Sequence, residues 1–243
     1  NPSKTVTTES KPELALNDLA NTLQDRWQLT EEGLIWQVTD SHEDHIEMSG
    51  EQISAIIYYG SDKQGNLSLK RKLVWPMLRT IPNDTHASLI HDFDLATSPS
   101  IHIDGKAITQ AQLTQVKIDG LLTLTTALTN QVTLTRTLAP SPTKALMVER
   151  LTFSNHGEKQ VKLAVDELNY LFSTAEKASV YGAYKIQATS SKVNEFELNS
   201  GQPMEVFVDF KATKSGRTNV FDGAKELRAR IDYVASLKND LQL

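Results

Sequence analysis

Leu134-Thr135-Arg136-Thr137-Leu138-Ala139-Pro140-Ser141-Pro142-Thr143-Lys144-Ala145-Leu146-Met147-Val148-Glu149-Arg150-Leu151-Thr152-Phe153-Ser154-Asn155 decides the fold. The stretch reads as two β-strands joined by a Pro-rich corner. Pro140 and Pro142 have no N–H to give to a ladder, so both strands are expected to stop there. Before the corner, Val132, Leu134 and Leu138 point one way with period two. After it, Met147, Glu149, Leu151 and Phe153 alternate with Val148, Arg150 and Thr152. Ser154-Asn155-His156-Gly157 then closes the second strand with turn chemistry.

Outward from this stretch the β pattern continues from about residue 27 to residue 211. Leu34, Trp36 and Val38 alternate, as do Ile53, Ala55, Ile57 and Tyr59. A turn signal at Asp62-Lys63-Gln64-Gly65 leads into Leu67, Leu69 and Leu73. Residues 88–95 and 100–103 are shorter strand candidates before a turn at Asp104-Gly105. Residues 115–128 form a Thr-rich alternating run that turns at Thr129-Asn130 into residues 132–138. Residues 159–168, 183–188, 195–198 and 204–210 complete the set. Regular strands punctuated by Gly, Asn and Pro indicate a sandwich rather than a βαβ fold. Their number calls for two broad antiparallel sheets.

Both ends change to helical spacing. Over residues 10–27, Ser10 and Glu13 fit a capping box, and Leu16, Leu19, Ala20, Leu23 and Trp27 recur at helical intervals. Over residues 222–243, Asp222 is a candidate N-cap, and Ala224, Leu227, Ile231, Val234 and Leu237 form an apolar stripe. The polar residues before Ser10 read as a processed terminus, expected to be mobile. The resulting division is a terminus plus helix over 1–30, a sandwich over 31–215 and a helix over 216–243.

Composition narrows the function. A chain of 243 residues buries roughly 70–75% of its unfolded surface and needs no covalent staples. It has no cysteine, which excludes disulfides and thiolate metal sites. A formal net charge of −5, with no clustered Lys and Arg, argues against nucleic acid and anionic membranes as partners. The short run Lys70-Arg71-Lys72 lies in a strand pattern and is expected to be a solvated strand face. No apolar run approaches the ~20 residues of a membrane span. No phosphate loop, dinucleotide fingerprint or Gly-x-Ser-x-Gly is present, so no cofactor is expected.

Two polar segments carry the candidate chemistry. In residues 40–50, Asp44, His45 and Glu47 stand with His42 in what reads as a loop entering a strand. These ligand types suit zinc or manganese, but the histidines are three apart, not four as in a helical zinc motif. A functional polar loop and an ordinary solvated loop are the other readings. In residues 73–89, Trp75 precedes Pro76 and is held extended, and Arg79, Asn83, Asp84 and His86 follow. An aromatic face with Arg, Asn, Asp and His nearby is the set that grips a sugar. The opposing reading is a core Trp beneath a loop whose polar groups satisfy its own backbone. A weaker assembly would pair His86 or His156 with Asp166 or Glu167 as an epimerase-like acid and base.

The runs Asp44-His45-Ile46-Glu47-Met48-Ser49-Gly50 and Val74-Trp75-Pro76-Met77-Leu78-Arg79-Thr80-Ile81-Pro82-Asn83-Asp84-Thr85-His86-Ala87-Ser88 resemble those of Bacteroidetes-type six-hairpin glycosidases. The order of strand, Pro-rich corner, strand and turn over 134–155 is similar to the sandwich of the same proteins. The resemblance implies a mainly β galactose-mutarotase-like fold. It is a large two-sheet antiparallel supersandwich with a short N-terminal helix and a C-terminal linker helix leading to an (α/α)6 catalytic barrel. It further implies a carbohydrate substrate, a periplasmic or extracellular location, and catalytic acids carried by the barrel. Under it Asp44, His45, Glu47, Trp75, Arg79, Asn83, Asp84 and His86 line the sugar cleft or the domain interface on one rim. Arg136, Glu149, Arg150 and Asn155 match structural strands. An independent carbohydrate-binding module or a mutarotase-like domain is the alternative.

Overall fold

A computed structural model describes residues 26–81 and 86–240. The expected N-terminal helix lies outside the described residues, except that Trp27 sits just before the first strand. In chain order the strands open with β1 (Gln28–Thr30) and β2 (Gly33–Gln37). A meander follows: β3 (His42–Ser49), β4 (Ser54–Ser61), β5 (Leu67–Thr80) and β6 (Ala87–Asp94). Next come β7 (Ile101–Ile103), β8 (Lys106–Ile108), β9 (Gln112–Ile118), β10 (Leu122–Ala127), β11 (Val132–Pro140) and β12 (Leu146–Asn155). The last are β13 (Val161–Val165), β14 (Leu168–Ser173), β15 (Tyr184–Ser190), β16 (Val193–Leu198) and β17 (Met204–Lys214), before helix α1 (Gly223–Asp240).

The protein is mainly β and antiparallel. One nine-stranded sheet runs β1-β2-β9-β10-β11-β12-β17-β15-β14. The Pro-rich corner is at its centre: β11 ends at Pro140, which pairs with Met147 of β12. Two four-stranded sheets, β3-β4-β5-β6 and β16-β13-β7-β8, cover the same face of the large sheet. Period two explains this arrangement. Leu134, Leu138, Met147, Leu151, Phe153, Val208 and Phe210 point into one core with Ile57, Leu73 and Phe93 from one small sheet and Ile103 and Leu163 from the other. The second layer is thus divided at the β6–β7 connection, where Pro99 interrupts the backbone donors that a continuous sheet requires.

The opposite face of the large sheet is covered by α1. Leu121, Ala139, Leu146 and Val148 form a second apolar cluster with Leu227, and Ile231 and Val234 pack against it. Asp222 caps the helix as expected, its carboxylate accepting the Lys225 N–H at 3.2 Å. Two polar residues lock the docking. Ser141 Oγ–H donates to Glu226 Oε2 at 2.6 Å. Arg230 Nη1 donates to the Ser49 carbonyl at 2.8 Å, and its Nε and Nη2 reach the Gly120 carbonyl. The Pro-rich corner, the β3–β4 turn and the β9–β10 turn are therefore tied to one helix.

Three local expectations are corrected. Residues 115–128 are two strands, not one run: Gly120, at φ 90°, breaks them into a hairpin. Residues 42–49 are the edge strand β3, not a loop. An edge strand with a solvated face tolerates His, Asp and Glu, which is why the segment reads as a loop. Arg71 does not share the solvated face of Lys70 and Lys72. It alternates with them, between Leu69 and Leu73, and is fully buried.

Candidate functional site

The first candidate segment is divided by strand alternation. His42, Asp44, Ile46 and Met48 share the inner face of β3, and His45 and Glu47 point to the outer face. The Asp44 carboxylate accepts the N–H of His45 at 2.8 Å, and its other oxygen lies 3.9 Å from His42 Nε2. Burial pushes the Tyr59 hydroxyl pKa up, and Asp44 nearby adds to this. On the outer face His45 stacks on Tyr58, its cross-strand partner, with ring centroids 5.6 Å apart. Lys70 places its Nζ 4.5 Å from the Tyr58 ring centroid. Glu43, His45, Tyr58, Ser68 and Lys70 line a shallow open groove there. Among the described residues no group of three or more His, Asp or Glu is arranged to hold a metal ion.

The second segment is part strand and part bulge. Trp75 pairs with Leu89 and Arg79 with Ser88, so residues 76–78 are extra on β5. Pro76 has no N–H, which places the bulge here. Trp75 is a core residue, 1% exposed, with its Nε1–H donated to the Ala145 carbonyl at 3.3 Å. It offers no face to a sugar. The Arg79 carbonyl accepts from the Tyr184 hydroxyl at 2.5 Å and from the Val180 N–H at 3.0 Å, which pins the end of β5 to the loop before β15. His86 is exposed; Asn83 and Asp84 lie outside the described residues.

The two segments are not brought together. Asp44 is level with Tyr59 and Leu69, whereas Arg79 lies beyond Trp75 with two strand spacings between them. The stretch from Leu69 to Trp75 alone covers about 20 Å at ~3.3 Å per residue. The expected common rim is therefore absent for Asp44 and Arg79. The acid–base assembly around His156 is not formed either: His156 shares a 2.9 Å hydrogen bond with Thr133 Oγ1.

The structure instead assembles a buried group that spans both layers. Arg71 and Arg136 converge on Glu149 between the layers. Arg71 Nε donates to Glu149 Oε2 at 2.6 Å, and Arg136 Nη1 to Oε1 at 2.5 Å. The Glu149 side chain is fully buried, and those of Arg71 and Arg136 are 1% and 7% exposed. Arg71 also donates to the Asp94 carbonyl at 2.9 Å and to Ser98 Oγ at 3.2 Å, closing the end of β6. Burial pushes the Glu149 carboxyl pKa up, but the two guanidiniums outweigh it and hold the pKa below its usual value. The signal was period two: Glu149 and Arg136 lie among core residues in the very strands that define the fold.

Comparison with known proteins finds no matching family model and no matching curated protein.

Proposed function

We propose that this chain is the non-catalytic β-sandwich domain of a glycoside hydrolase, packing on a helical-barrel catalytic domain that carries the acids. The observation that carries the reading is the division of α1. Its first half is anchored by Glu226, Leu227 and Arg230, whereas Tyr233 and Leu237 on its second half are 46% and 42% exposed. A helix that binds the sandwich with one half and offers apolar side chains with the other has the form of a bridge to a further domain. The buried Arg and Glu residues agree with this, since they are committed to structure.

The groove at His45, Tyr58 and Lys70 favours the second reading, an independent carbohydrate-binding module, because it joins an aromatic ring to charged hydrogen-bonding groups on an open face. The two readings part on one experiment in the longer enzyme. Tyr233→Ser with Leu237→Ser is expected to loosen domain docking and lower the melting temperature of the joined protein, while sugar binding by the isolated sandwich is unchanged. If Tyr58→Ala abolishes sugar binding by the isolated chain and the helix changes do nothing, the binding-module reading replaces the first.

A further inference from the structure

The seam between the two four-stranded sheets holds a half-open cavity of about 360 Å³. This is within the range of small-ligand sites. Its walls are the β6–β7 connection, the β8–β9 connection and the tip of the β4–β5 hairpin; its floor is β10 and β11. Arg136 is part of that floor.

Arg136 has donor capacity left over. Its Nη1 serves Glu149, and its Nε, though without a hydrogen-bond partner, is buried too deeply to touch a ligand, so the Nη end is what faces the cavity. Glu149 cannot take more, because Arg71 occupies its other oxygen. Charge points the same way. Two guanidiniums share one carboxylate, leaving one positive charge uncompensated within the group. The acidic residue on the cavity wall, Asp62, is engaged locally: its Oδ1 accepts the N–H groups of Gln64 at 2.9 Å and Asn66 at 2.8 Å. Those hydrogen bonds, led by that of Asn66, hold its pKa below the usual value despite some opposing desolvation, so it stays ionised and disfavours ligands of high negative charge.

The rest of the wall is mixed. Ser98, Ser100 and Gln110 offer hydrogen-bonding groups, and Pro99 and Leu134 offer apolar surface. We propose that this cavity is a binding site for a small hydroxylated monocarboxylate of sugar-acid type, its carboxylate held by Arg136 and its hydroxyls by the polar wall. A single carboxylate matches the single surplus charge, and a guanidinium edge matches its two oxygens. The site stands independently of the glycosidase reading.

The test uses the whole chain with D-glucuronate as probe, D-glucose as the neutral control and inorganic phosphate as the competing anion. Calorimetry and amide chemical shifts report binding. Glucuronate is expected to bind at least tenfold more tightly than glucose and to shift amides of residues 95–101 and 108–111. Arg136→Gln is expected to lose this binding; its fold is checked by circular dichroism. Because that variant disturbs Glu149, Ala96→Trp provides a second test: it narrows the cavity while leaving the buried group intact, and is expected to weaken binding at least tenfold. Glucose binding as tightly as glucuronate, phosphate binding more tightly than either, or full binding by folded Ala96→Trp would each overturn the proposal.

Discussion

Arg71 and Glu149, from opposite layers of the sandwich, form a hydrogen-bonded ion pair in its interior, with Nε and Nη2 of the arginine both within 2.6 Å of Oε2. Removing the carboxylate leaves two buried guanidiniums facing one another. Glu149→Ala is therefore expected to cost about 3–5 kcal/mol. Replacing the whole group, as Arg71→Met, Glu149→Leu and Arg136→Met together, should recover most of that loss, because no buried charge is then left unpaired. Urea denaturation of the single and triple variants checks both outcomes.

The same carboxylate sets an acid limit. Its folded pKa is depressed, so its contribution is complete above the unfolded value near 4.5 and is lost as pH falls through the folded value. Stability relative to Glu149→Gln should therefore shrink below about pH 4.5. Melting curves from pH 7 to 3 measure the difference.

Asp209 has the opposite sign. Burial, with Asp222 nearby, outweighs the attraction of Lys211 and raises its carboxyl from 3.8 to about 6. The folded state then binds the proton more tightly than the unfolded chain, so this group's contribution falls as pH rises from 3.8 to about 6. Its Oδ1 is also buried with no hydrogen-bond partner. Asp209→Asn is expected to stabilise the protein at pH 7 and to leave it no better at pH 3.5, as read from paired melting curves.

Gly50 allows a close backbone approach. A Cβ there would lie 2.0 Å from the Ser141 carbonyl oxygen, within the Pro-rich corner. Gly50→Ala must push the corner from the β3–β4 turn and should cost about 2 kcal/mol or more. Gly65 has open space around its Cβ position but φ 83°, so Gly65→Ala should cost about 1 kcal/mol from backbone strain alone. Chemical denaturation separates the two.

The division of α1 predicts unequal sensitivities. Leu227→Ala removes a side chain that is 2% exposed and should cost about 2–4 kcal/mol. Leu237→Ala should stay within about 0.5 kcal/mol. Amide exchange in the isolated chain should be slow around Leu227 and fast beyond Val234.

The fold was legible where one physical rule acts alone. Pro140 and Pro142 fix the corner, and alternation from Leu134 to Phe153 fixes both the strands and their buried face. The helix at Asp222 was legible from its cap and from Leu227, Ile231 and Val234 of its stripe, although Ala224 and Leu237 are exposed and Arg230, a charged residue, anchors it as firmly as any leucine. Legibility failed where composition and position compete. His42 to Glu47 look like a loop because an edge strand needs few apolar residues. Arg71 looks exposed between two lysines because its partners are 65 and 78 residues away, as the numbers of Arg136 and Glu149 show. The candidate site is less legible for the same reason: Trp75 beside Pro76 reads equally as a sugar platform and as core, and it is core, and whether Asp44 and Arg79 meet depends on register, which no spacing within either segment reveals.

The most direct test of the proposed role is turnover of a panel of aryl glycosides by this chain alone and by a longer protein in which it is joined to the proposed helical-barrel domain. Hydrolysis is expected only from the joined protein, and it should survive substitution of each carboxylate in the sandwich whose loss leaves the fold intact. Hydrolysis by the isolated chain, abolished by changing one of its own carboxylates, would contradict the assignment of a non-catalytic domain.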